Sequence, residues 1–176
     1  MKRRKRYDWL NWQIQRLGYR VGAEVGCAEG NTTMRLLKHN PKLRLYAVDM
    51  WGDRFSQYSD YSKEIYKDWD FNKIWRTFLT QTRPYQDRLI ILRGCSWQVV
   101  KDVKEKLDFV FIDADHTYDM VIQDIVMWGE ILKEGGMVCG HDCNLPEVRR
   151  ALNMILPGWK ETGIDNVWYG YKYQIR

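Results

Sequence analysis

Short apolar runs recur along this chain, and most of them stop at a glycine or an acid. Residues 21–25 form the first and run into Gly26. Residues 43–48 form the second and end at Asp49. Residues 89–92, 109–112 and 137–139 form the third, fourth and fifth. Runs this short, bounded by turn residues, predict strands. The fourth, Phe109-Val-Phe-Ile112, is apolar at successive positions, which predicts a central strand buried on both faces. Between the runs the period lengthens. Tyr118, Val121, Ile122, Ile125, Trp128 and Leu132 follow helical spacing, and Gly135-Gly136 is expected to close that helix. Further helices are expected over 31–39, capped by Asn31, over 96–104, and from Pro146 at a first turn. Residues 53–87 are rich in aromatics and read as helical in their second half. Residues 159–161 and 167–173 read as late strands, the second placing Val167, Tyr169, Tyr171 and Tyr173 on one face. Near the start, Trp9, Trp12, Ile14 and Leu17 mark a short amphipathic helix laid over the domain.

Repeated strand–helix units predict an α/β fold, a mostly parallel sheet with helices on both faces. The chain of 176 residues fits one such domain at 21–176, preceded by a basic segment at 1–20. Ligands of such sheets bind outside the carboxyl ends of the strands. Function is therefore sought at 26–31, 49–51, 94–96, 113–116 and 140–144.

Composition narrows the partners. The formal net charge is +5, which by itself points to a polyanion. Residues 1–20 carry seven basic residues and one acid, so the remaining 156 sum to −1. This weakens a globally basic nucleic-acid binder. The run Lys2-Arg-Arg-Lys-Arg6 reads as a frayed, solvated terminus, with an address or nucleic-acid tether as the alternative. No apolar segment follows it as a signal peptide would require, and no run approaches a membrane span. Cys27, Cys95, Cys139 and Cys143 fit no zinc spacing. They read as reduced thiols of a cytoplasmic protein.

The first strand ends in Glu24-x-Gly26-x-x-x-Gly30. Glycines let a backbone approach a ligand closely, and a helix start offers free N–H donors. The pattern is neither G-x-G-x-x-G nor a P-loop. An acid at Glu24 would repel a pyrophosphate and suits an amine or a cationic sulfur. Asp49, at the end of the second strand, is placed to take the hydroxyls of a ribose. With these residues the chain resembles the class I S-adenosylmethionine-dependent methyltransferases from about residue 20 onward. The resemblance implies a Rossmann-like sheet of seven strands with an antiparallel last strand. It implies a cofactor site made of Glu24, Gly26, Cys27, Ala28, Gly30, Asn31, Thr32, Asp49, Met50 and Trp51, in which residues 26–30 wrap the methionine part and Asp49 binds the ribose. Gly94, Cys95 and Ser96 match the adenine-side loop, although Ser96 also reads as a cap for the next helix. Asp113 completes the set.

The fourth strand runs into Asp113-Ala-Asp-His116, and the fifth into Gly140-His-Asp142. On neighbouring strands, Asp113 and Asp142 would lie side by side. Two such carboxylates repel unless protonated or bridged by a cation. Together with His141 they make a donor set for Mg²⁺ or another divalent ion. This resembles the small metal-dependent O-methyltransferases with Asp-x-Asp-His-x-Tyr followed by Gly-His-Asp. The resemblance implies methyl transfer to a hydroxyl of a small sugar, catechol or polyketide-like molecule. Asp113 and Asp142 would hold the ion, and His116 or His141 would act as base. The plainer readings are that Asp115 caps the helix near Thr117, that Asp119 and Asp124 are solvated, that Asp142 binds only a backbone amide, and that His39 is exposed.

The aromatic segment divides. Ile74, Trp75, Phe78 and Leu79 read as helix core. Phe55, Tyr58, Tyr61 and Tyr66 read as a lid or acceptor wall. Aromatics with interleaved bases also suit single-stranded nucleic acid. A nucleic-acid or protein acceptor is less favoured, because no Asn/Asp-Pro-Pro-Tyr/Phe motif follows the fourth strand. A non-catalytic cofactor-binding protein of the same fold is the remaining alternative.

Overall fold

The structure, a computed structural model, describes residues 4–53, 56 and 59–176. The expected lid residues Phe55 and Tyr58 lie outside these. The five apolar runs form parallel strands: β1 (Val21–Val25), β2 (Arg44–Asp49), β3 (Leu89–Arg93), β4 (Leu107–Ile112) and β5 (Leu132–Gly140). Two further strands, β6 (Lys160–Glu161) and β7 (Trp168–Tyr171), complete a seven-stranded sheet in the order β3-β2-β1-β4-β5-β7-β6. β7 runs antiparallel to both its neighbours. The architecture is the Rossmann-like one. β1 and β4 are adjacent, so the strand order reverses there and opens a crevice at their carboxyl ends.

Helices α1 (Arg6–Leu17) and α2 (Asn31–His39) share one core cluster with the sheet, through Trp9, Leu10, Ile14, Leu36 and Leu37 packed with Phe109 and Phe111. The other large cluster joins α6 (Tyr118–Glu130) and α7 (Pro146–Ile155) to the strands through Val121, Ile125, Trp128, Val148 and Leu152. The aromatic segment forms α3 (Asp60–Tyr66) and α4 (Phe71–Thr82). α5 (Ser96–Val99) is one turn long and continues as a 3-10 turn to Asp102, shorter than the helix expected to residue 104.

Several expectations need correction. Gly135-Gly136 do not close α6, which ends at Glu130; they lie within β5. Leu132 likewise starts the strand and pairs with Leu107, where the register shifts before Phe109 meets Met137. Residues 133–136 lie within that register shift, and the helical spacing of Leu132 was fortuitous. Asn31 does not cap α2: Gly30 occupies that position and no side chain caps it. In α1, Trp12 and Leu17 face solvent, and Leu10 and Gln13 are buried instead. Leu79 is exposed, whereas Phe78 is fully buried. On β7, Tyr169 and Tyr171 join Val167 in one cluster as expected, but Tyr173 lies beyond the strand and is exposed.

Candidate active site

The crevice holds a cavity of ≈ 1080 Å³. Every residue expected to hold the cofactor lines it except Gly30, which packs on Phe78. Gly26 shows why the loop needs glycine. Its φ is +89°, and a Cβ there would sit 2.1 Å from the carbonyl oxygen of Asp113. β1 and the loop after β4 can approach this closely only without a side chain.

Asp49 does not simply face the cavity. Its Oδ2 accepts from the backbone N–H groups of Cys27 at 2.9 Å and Ala28 at 2.8 Å, and its Oδ1 from that of Trp51 at 2.8 Å. The carboxylate therefore stitches the β1 loop to the β2 loop. Trp51 adds a second stitch, donating its indole N–H to the Ala28 carbonyl at 2.7 Å, and packs against Trp75 and Phe78 beneath the loop. Burial pushes Asp49 up, although these N–H groups oppose the shift.

Glu24 is buried in β1 and lines the cavity. The Thr33 hydroxyl donates to it at 2.5 Å. Burial dominates and raises its pKa to about 8, with Asp113 adding repulsion.

The second group gathers at the ends of β4 and β5. Asp113, His141 and Asp142 each offer a ligand atom within 4.8 Å of the others. Asp142 has a left-handed φ of +59°, which an Asp tolerates and which aims its carboxylate between two imidazoles. His116 Nε2 lies 2.8 Å from its Oδ2, and His141 Nδ1 2.9 Å from its Oδ1. These are hydrogen-bond distances without hydrogen-bond direction. His116 Nε2 and both ring nitrogens of His141 are buried without a hydrogen-bond partner. Burial raises the carboxyl of Asp142, but the two imidazoles outweigh it and hold it well below the usual range. Asp113 goes the other way: burial raises it against the pull of Arg6 and His141. His141 and Asp142 do not line the cavity itself, whereas Asp113 and His116 do.

Four contributions escape the sequence reading. Arg6, placed in a frayed terminus, instead pairs its guanidinium with Asp113. Asp165, in the turn before β7, pairs with Arg6 and lies 3.9 Å from His141 Nε2. Asp115 does serve the start of α6, accepting from the Thr117 N–H at 2.8 Å, but its Oδ2 also accepts from Ser59 and Ser62 of the lid segment. Asp124, expected to be solvated, is buried against the Ser96 hydroxyl, which therefore caps nothing. Burial lifts Asp124 to about 7. The capping role of Asp115 was legible in the sequence, and the helical phase of Asp124, in step with Val121 and Trp128, gave a signal of its burial. From the lid, Tyr66 lines the cavity, joined by Trp69 and Phe71. Tyr61 is exposed, and His39 is exposed as expected. All four cysteines are buried and unpaired with one another.

A glycine-rich crevice thus opens at the switch point of the sheet, with an acid at its head and a carboxylate–imidazole cluster beside it. The chain belongs to the Methyltransferase domain family, whose model matches residues 23–143. It is an S-adenosylmethionine-dependent methyltransferase. The fold is similar to that of cofactor-bound Rv0187 from MTB, at 17% identity and TM-score 0.70, over 96% of this chain and 79% of that one. It is also similar to an O-methyltransferase from Bacillus cereus in complex with SAH, at 18% identity and TM-score 0.63, over 94% and 80%. A third is the O-methyltransferase TomG from Streptomyces achromogenes, involved in tomaymycin synthesis and solved with SAM, at 14% identity and TM-score 0.65, over 93% and 77%. No curated protein matches by sequence. No helix among the described residues is long and apolar enough to cross a membrane.

Proposed function

We propose that the protein methylates a hydroxyl of a small molecule and that Asp113, His141 and Asp142 hold a divalent cation beside it. The observation that carries this is the pair of buried, unbonded His141 nitrogens beside two carboxylates at the cavity's edge. Buried polar atoms are otherwise nearly always paired. The donor set, two carboxylates and an imidazole, fits Mg²⁺ or a divalent transition ion. Such an ion, when bound, would lower the pKa of an acceptor hydroxyl.

The chain's own residues then divide the work. Glu24 would compensate the positive charge of S-adenosylmethionine, and Asp49 holds the glycine loop in place through the Cys27 and Ala28 amides. Asp49 lines the cavity and would accept from a ribose hydroxyl. His116 reaches the cavity and would accept the proton of an acceptor hydroxyl bound there. Tyr66, Trp69 and Phe71 form an aromatic wall suited to a sugar or aromatic ring. TomG, named for the synthesis of a small molecule, supports an acceptor of that size. A nucleic-acid acceptor steered by the N-terminus is less favoured, since Arg6 is engaged inside the site.

The test combines calorimetry with S-adenosylhomocysteine and turnover on a panel of small hydroxyl compounds with Mg²⁺ or chelator. Expected are binding, methylation of a hydroxyl, and loss of rate in chelator and in Asp142→Asn on the order of a hundredfold, as for losing a metal's Lewis acidity. Full rate in chelator removes the cation. Absent S-adenosylhomocysteine binding removes the cofactor site.

A further inference from the structure

The N-terminal helix has no part in the chemistry above, yet it reaches the centre of it. Arg6 opens α1, and its guanidinium crosses to Asp113 Oδ2, 107 residues along the chain. Its Nε lies 3.6 Å from Asp165 Oδ2, and its backbone N–H donates to the same oxygen at 3.1 Å. Lys5 Nζ stands 3.8 Å from Asp165 Oδ1. A core-anchored helix delivers this charge: Trp9, Leu10 and Ile14 pack against the sheet three to eight residues on. Asp113 is thereby divided. Arg6 takes Oδ2, while Oδ1 faces His141 Nδ1 at 3.7 Å. The imidazole of His141, nine-tenths buried, points into the same cluster with both nitrogens unbonded.

We propose that Arg6 is a built-in counter-cation of the Asp113–His141–Asp142 cluster, which compensates its acids in the ion-free protein and sets how tightly a divalent ion binds. This deepens the proposed function and rests on its cation site. The Asp113 side chain is mostly buried and lies beside Asp142, where a lone carboxylate is costly without a partner. A fixed guanidinium on its far oxygen removes that cost. The same charge repels an arriving cation and weakens the carboxylate as a ligand. Ion affinity is thus traded against the stability of the ion-free fold, and the ion stays exchangeable. Lys5 and Arg6 thus act on the site's own acids.

The experiment is Mn²⁺ calorimetry and thermal melting on the full chain, comparing wild type with Arg6→Gln and Arg6→Lys. Arg6→Gln is expected to bind Mn²⁺ on the order of tenfold tighter, from one fewer repelling charge a few ångströms away. Its ion-free melting midpoint should fall, and Mn²⁺ should raise it further than in wild type. Arg6→Lys, which keeps the charge, should stay close to wild type. Equal or weaker Mn²⁺ binding by Arg6→Gln overturns the counter-cation while leaving the cation site standing. No Mn²⁺ binding by either protein overturns both. Should Arg6→Gln not fold, Mg²⁺ titration of the wild-type protein gives the answer through the NMR signal of the Arg6 Nε–H. That signal should move as the site fills, and an unmoved signal in a protein that binds Mg²⁺ overturns the proposal.

Discussion

Glu24 carries its charge only when something compensates it. It sits in the central strand β1 with the Thr33 hydroxyl as its hydrogen-bond donor, and burial lifts its pKa to about 8. A cation arriving in the cavity favours the ionised form. Binding of S-adenosylmethionine near neutral pH should therefore expel a proton from Glu24. Its affinity should rise with pH through neutrality to about pH 8, by up to about tenfold per unit. Calorimetry in two buffers of different ionisation enthalpy reads the proton directly. Glu24→Gln should bind more weakly and lose both the proton release and the pH dependence. An unchanged pH profile in that variant would remove Glu24 from the cofactor site. Asp49 teaches the converse at the same scale: its place after β2 was legible in the sequence, but its three backbone partners were not, because they come from loops 21 or more residues apart and from its own turn.

At the scale of elements, the short helix α3 depends on one side chain outside it. Asp115 accepts from Ser59, which caps α3, and from Ser62 at 2.7 Å within its first turn. These bonds outweigh burial and lower the pKa of Asp115. A helix of seven residues is too short to be stable alone. α3 is thus tethered to the loop that carries Asp113 and His116. Ser62→Ala removes one hydrogen bond to a charged acceptor, worth ~1.5–3 kcal/mol. Amide exchange in α3 should quicken by about tenfold or more, by the same arithmetic. Exchange in β1 and β4 should not change. Equal exchange in α3 would show that the tether holds nothing. Sequence reading found aromatics here and a cap at Asp115, but the serine partners, 53 and 56 residues away, had no signal in periodicity.

Across the whole molecule, buried acids set the direction of the pH response. Glu24 and Asp124 have folded pKa values of about 8 and about 7, above their usual 4.5 and 3.8. Between those values the folded chain holds protons that the unfolded chain has lost, so stability falls as pH rises. Asp142, Asp108 and Asp115, held low in the fold, lose their contribution only in acid. The melting midpoint should therefore decline from about pH 5 to about pH 8, at ~2–4 °C for each kcal/mol lost in a chain of this size. Glu24→Gln and Asp124→Asn should each flatten the decline. A midpoint that rises over that range would contradict the assignment.

The apolar runs and the residues that end them determined much by themselves. Strand positions β1 to β5, the glycine loop and the meeting of Asp113 with Asp142 all follow from local periodicity and from the rule that sites gather at strand ends. Periodicity failed where burial came from elsewhere. The exposed Trp12 and buried Gln13 of α1 depend on how that helix lies on the sheet, and Gly135-Gly136 on a register shift that arises only in the pairing of β5 with β4. Tertiary structure alone decided the partners of charge. Whether Arg6 is solvated or sits on Asp113, and whether Asp124 faces water or Ser96, depends on contacts across 107 and 28 residues. Such contacts leave no local pattern, because Coulomb attraction and burial act through space and not along the chain.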